Sequence, residues 1–121
     1  MKLETIQEQS KRIAVISGDD VRITDLQSAL DLIMTVRYET GADRIVLSKA
    51  AVSDAIFILS TGLAGEILQK FINYRVKLAI YGDYSGYTSK PLKDFIYESN
   101  KGTDVFFMDT KEQAVERLKA V

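Results

Sequence analysis

Two stretches of the chain carry residue types that could do chemistry. The first is Ser60-Thr61-Gly62-Leu63-Ala64-Gly65-Glu66, with two hydroxyls at what reads as a helix entry. Free backbone N–H groups and the helix dipole favour an anion there, or a phosphate carried on the hydroxyl itself. A hydroxyl in this place also caps a helix, by accepting from one of those N–H groups. Gly62 and Gly65 would let backbone approach a ligand, or let the helix lie close on a sheet. The second stretch is Gly82-Asp83-Tyr84-Ser85-Gly86-Tyr87-Thr88-Ser89-Lys90. Tyr84 and Tyr87 suit a recognition surface. Asp83 can accept a hydrogen bond from a sugar or amine, with Ser85 and Ser89 adding hydroxyls. Lys90 can meet a phosphate as a point charge. The other reading is a long turn whose Asp and Ser bond their own backbone.

Much other chemistry is closed by composition. The chain of 121 residues has no Cys and no His. That removes disulfides, thiolate ligands, cysteine nucleophiles, the Ser-His-Asp triad and the commonest zinc ligand. Asp19-Asp20 is an adjacent acidic pair in a turn, too few oxygens for a hard-cation site. The P-loop pattern is absent. No metal or cofactor is expected, and no nucleophile-base pair stands out. With 16 basic and 17 acidic residues in no long run, and a net charge of -1, the chain lacks a nucleic-acid footprint. The longest strictly apolar run, Ala55 to Leu59, is far short of a membrane span. The charged start Met1-Lys2-Leu3-Glu4-Thr5 is unlike a signal peptide, so a cytoplasmic location is expected.

The elements that must position the two stretches can be read in order. One domain is expected over 1–121. Leu3 to Glu8 and Arg12 to Ser17 read as strands around a turn at Ser10-Lys11. Thr24-Asp25-Leu26-Gln27 has capping-box form and opens a helix, with Leu26, Leu30, Ile33 and Arg37 along one face beside Ala29 and Val36. Gly41 ends it. Ile45-Val46-Leu47, Lys77 to Tyr81 and Val105 to Met108 are apolar on consecutive positions, the pattern of strands buried on both faces. Helices are predicted over Gly62 to Tyr74, Pro91 to Asn100 and, from a second capping box at Thr110-Lys111-Glu112-Gln113, to Leu118. The order β-β-α-β-α-β-α-β-α calls for an α/β layer fold. In such folds ligands bind beyond the carboxyl ends of the strands, where both stretches fall.

Phe57-Ile58-Leu59-Ser60-Thr61-Gly62-Leu63-Ala64 resembles the pattern of STAS (anti-sigma-factor antagonist) domains, with Leu59 where that family has Asp. Val76 to Tyr81, Ser89 to Phe95, Val105 to Met108 and Thr110 to Leu118 follow the same element order. The run Ser60 to Phe71 also resembles a bacterial family, domain of unknown function 4180, as do Tyr87-Thr88-Ser89-Lys90 and Asp94 to Asn100. The second resemblance implies no particular activity. The STAS resemblance implies a mixed, mainly parallel sheet of four to five strands with one layer of helices. It also implies a non-catalytic regulatory domain, phosphorylated by a kinase partner at Thr61, or at Ser60 beside it, with Gly62 completing the site. The alternative is a module binding a nucleotide or another anion through Ser60, Thr61 and the Gly82 to Lys90 loop. Strands apolar on both sides need cover on a second face, from the N-terminal strands or from a second subunit as a homodimer.

Overall fold

The computed structural model describes residues 2–18 and 20–121; Asp19 of the acidic pair lies outside them. The first strand, β1 (Lys2–Glu8), turns through Gln9 and Ser10 into β2 (Lys11–Ser17). Gln9 adopts the left-handed conformation this tight turn requires, at φ 55°, without a glycine. Then follow α1 (Leu26–Thr40), β3 (Arg44–Ser48), α2 (Leu63–Asn73), β4 (Lys77–Tyr81), α3 (Lys90–Lys101), β5 (Val105–Met108) and α4 (Lys111–Ala120). Three short 3-10 turns, Lys49–Ala51, Asp54–Phe57 and Leu59–Thr61, carry the chain from β3 to α2.

The five strands form one sheet in the order β1-β2-β3-β4-β5. The sheet is mixed, not mainly parallel as expected. Its longest ladder is the antiparallel β1–β2 hairpin, running from Lys2↔Ser17 to Glu8↔Lys11. The parallel pairings are shorter: β2–β3 joins Ile13 to Val15 with Arg44 to Val46, and β3–β4 and β4–β5 follow. The hairpin lengthens because a two-residue turn holds its strands in register over their whole length.

The single helical layer also requires correction, because the helices lie on both faces. Ala14, Ile16, Ile45, Leu47, Leu78, Ile80 and Phe107 share a core with α1, α2 and α3. Ile13, Val15, Val46, Ala79 and Phe106 pack against Ala114, Val115 and Leu118 of α4. Handedness explains the split. Each parallel crossover from β2 to β5 steps the same way across the sheet, so right-handed connections bring α1, α2 and α3 to one face. α4 comes after β5 and joins no two of these strands, so crossover handedness does not place it. It covers the other face, and the runs Ile45-Val46-Leu47 and Phe106-Phe107 are buried on both sides within one chain. Arg44, the one buried charged side chain among the described residues, fastens α4 there. Its Nε donates to Leu118 O at 3.0 Å, its Nη2 to Val121 O at 2.7 Å, and its Nη1 meets Asp43 at 2.8 Å.

At the start of α1 the capping box sits one residue later than predicted. Asp25 Oδ1 accepts from Ser28 N at 2.8 Å, and Ser28 Oγ accepts from Asp25 N at 3.0 Å. Thr24 is held back from the cap because Ile23 is pinned in a bridge to Val52. The buried stripe is Ala29, Leu32, Ile33 and Val36, leaving Arg37 exposed and Leu30 at the margin. Gly41 ends the helix in the left-handed conformation, as expected.

Candidate functional site

The carboxyl ends of β3 and β4 converge on Lys49. Ser48 Oγ accepts from Ala50 N at 3.2 Å, bending the chain out of β3 into the first 3-10 turn. Gly82 leaves β4 directly beneath the Lys49 stem: a Cβ there would stand 2.6 Å from Lys49 Cβ. Glycine is therefore needed here for close approach. The Lys49 ammonium donates to Asp83 O at 3.0 Å and lies 4.5 Å from the Tyr87 ring centre and 5.7 Å from that of Tyr84. Among the described residues no carboxylate comes within salt-bridge distance of it.

Aromatic rings build the wall beside it. Phe57 stacks on Tyr87 with centroids 5.3 Å apart, and Tyr84 meets Phe107 edge-on at 5.8 Å. The Tyr84 hydroxyl donates to Ile80 O at 2.8 Å. Burial pushes its phenol well above the ordinary tyrosine range, with smaller contributions from Tyr87 and Asp109. The Tyr87 hydroxyl is buried without a hydrogen-bond partner among the described residues.

Two grooves open on either side of Lys49. One, of about 780 Å³, runs between the Phe57–Ser60 segment and the Gly86–Leu92 segment. The other, of about 830 Å³, lies between the β3 and β4 ends and Val21 and Thr24. Lys49 and Asp54 line both. The first groove has the mixture of a ligand site, apolar Phe57, Tyr87 and Leu92 with a few polar groups. Volumes of this order suit small molecules.

The structure brings the two predicted stretches together across that first groove. Ser60 is exposed on one wall, and Tyr87, Thr88 and Ser89 stand on the other. Thr61 closes the turn that leads into α2, whose cap position is Gly62: its hydroxyl donates to Ile58 O at 3.0 Å and accepts from Leu63 N at 3.2 Å. Gly62 is left-handed at φ 76°. Asp83 and Ser85 form the self-bonded turn, Oδ1 accepting from Ser85 N at 2.9 Å. Hydrogen bonds from Ser85, with a smaller contribution from the Lys49 charge, hold the Asp83 carboxyl below its usual range. Ser89 caps α3, accepting from Leu92 N at 3.4 Å. Lys90 does not line the groove; it pairs with Asp94 at 2.7 Å along the exposed face of α3.

Lys49 and Asp54, which line both grooves, are not among the residues the sequence marks. Lys49 directly follows a buried strand, the position where α/β sheets place their ligands, and that was the available signal. Among the described residues no group of His, Cys, Asp or Glu is arranged to hold a metal ion. Among the described residues no helix is long and apolar enough to cross a membrane.

The chain belongs to the family described as Domain of unknown function (DUF4180), which matches residues 8–118. No curated protein matches it.

Proposed function

We propose that this domain is a non-catalytic binding module whose site is the groove beside Lys49. Its ligand is a small molecule with an anionic group, phosphate or carboxylate, on an apolar or aromatic body. The observation that carries this reading is the Lys49 ammonium, poised between a backbone carbonyl and a tyrosine face, with the Asp83 carboxyl near enough to feel its charge but, among the described residues, no carboxylate in salt-bridge contact. The anion meets Lys49, the body lies along Phe57, Tyr87 and Leu92, and Asp54 accepts from a hydroxyl or amine of the ligand. A binding role rather than a reaction is favoured because, among the described residues, no hydrogen bond joins the hydroxyl of Ser60, Thr88 or Ser89 to a carboxylate.

Regulation by phosphorylation is the second reading, in keeping with the STAS resemblance. Its support is the exposure of Ser60 on the groove wall. A phosphate there adds about -1.5 to -2 charge at pH 7 and competes with an anionic ligand for Lys49. Thr61 is the less suitable acceptor, since its hydroxyl already holds the turn.

Thermal melting with a panel of aromatic phosphates, carboxylates and nucleotides tests both readings. A ligand of the proposed class raises the melting temperature of the wild type by mass action. It raises that of Lys49→Met little, and Ser60→Glu weakens binding without altering the fold. A panel without any shift, or equal shifts in Lys49→Met, contradicts the site.

A further inference from the structure

The two edges of the sheet are treated differently. β5 has four residues, and the outward N–H and C=O of Phe107 in it are taken up by the side chain of Asn100. Asn100 Nδ2 donates to Phe107 O at 3.1 Å, and its Oδ1 accepts from Phe107 N at 2.7 Å. Short length and covered backbone are ordinary protections against strand addition. β1 has seven residues, no proline and an unbroken register with β2. A two-residue turn closed by Glu8↔Lys11 directs the backbone groups of the even-numbered residues toward β2. Those of Leu3, Thr5 and Gln7 point outward.

From this edge we propose that two copies of the chain associate through β1, antiparallel about Thr5, into one continuous sheet. A two-fold axis perpendicular to the sheet keeps like faces together, so only residues of equal parity can oppose each other. Three such registers pair at least five residues of β1. Centring on Glu4 sets Glu4 against its own copy, and centring on Ile6 sets Glu4 against Glu8 twice. Centring on Thr5 pairs all seven residues and sets Lys2 against Glu8 at both ends. It also joins the outward groups, Thr5 with Thr5 and Leu3 with Gln7. The half-buried Leu3 and Ile6, which pack on the two separate cores, gain cover on both faces. The charges on this edge thus reject other registers and select one. A strand pair of this length is smaller than the ~1,200–2,000 Å² of a standard interface, so the dimer dissociates on dilution.

Sedimentation velocity of the full chain over a wide dilution series tests this, with circular dichroism as the control on folding. The wild type should show a monomer–dimer equilibrium. Thr5→Pro removes an outward N–H and leaves the β1–β2 bonds in place, so it should be a folded monomer. Lys2→Glu alone sets a glutamate against Glu8 at both ends and should weaken the dimer about tenfold. Glu8→Lys does the same against Lys2 but also gives up the 3.8 Å pair with Lys119 inside the chain, so the double variant should recover most of the lost association rather than all of it. A wild type that stays monomeric throughout overturns the proposal, as does a dimer indifferent to the charge reversals. If Thr5→Pro fails to fold, the charge reversals decide alone.

Discussion

At the residue scale the proposed site centres on Lys49 and the glycine beneath it. Because the nearest Lys49 atom is Cβ, 2.6 Å from where an added methyl would sit, no rotation of the lysine relieves the clash. Gly82→Ala should therefore cost about 1–3 kcal/mol, as overpacking does. In a Lys49→Gly background the same change should cost at least ~1 kcal/mol less, read as a coupling energy in urea unfolding. Tyr84 supports the same wall from inside. Its phenol titrates higher in the folded chain than in the unfolded one. The unfolded state therefore loses its proton first, from about pH 10. Tyr84 thus contributes stability that is fully present below that pH and is lost as pH rises above it. Tyr84→Phe should lose about 1 kcal/mol near neutrality with the Ile80 hydrogen bond. It should also flatten the alkaline fall in stability relative to wild type. Coinciding alkaline limbs would contradict the burial of that hydroxyl.

At the scale of the elements, Asn100 joins α3 to the outer edge of β5, and Arg117 of α4 donates to Asn100 O and lies 4.7 Å over the Phe106 ring. Asn100→Ala should destabilise the fold by about 2 kcal/mol, because it leaves a buried N–H and C=O of Phe107 without partners. The Phe107 amide should then exchange with solvent faster than its neighbours in β4, which hydrogen exchange reads directly. Elements were the most legible part of the sequence. Every predicted strand and helix is present, because apolar runs, Gly41, Pro91 and the Thr110-Gln113 box are local signals. What failed depended on distant contacts. The cap of α1 moved to Asp25 because Ile23 bridges Val52, about thirty residues away. The three 3-10 turns between Ser48 and Gly62 are held by Ser48, Ser53 and packing of Phe57, and no periodicity announces them.

At the scale of the whole molecule, topology decides where chemistry can sit. Sequential strand order sends three helices to one face and frees α4 to close the other, so the second sheet face is filled within one chain. Both singled-out stretches lie at the carboxyl ends of strands, and the fold joins them across one groove. Their residue types were legible, but their centre was not. Lys49 follows a strand with no glycine or hydroxyl cluster around it, and its importance arises only where Gly82, Asp83 and Tyr87 meet it. Lys90, which looked like the phosphate partner, is engaged by Asp94 on its own helix.

Binding of an aromatic anion at Lys49 is the proposal on which the rest depends. A heteronuclear NMR titration with phenyl phosphate tests it most directly. Saturable shifts of backbone amides are expected at Lys49, at Ile58 to Ser60 and at Gly86 to Ser89, and they vanish in Lys49→Met. Shifts that never saturate, that fall elsewhere on the fold, or that survive unchanged in Lys49→Met would contradict it.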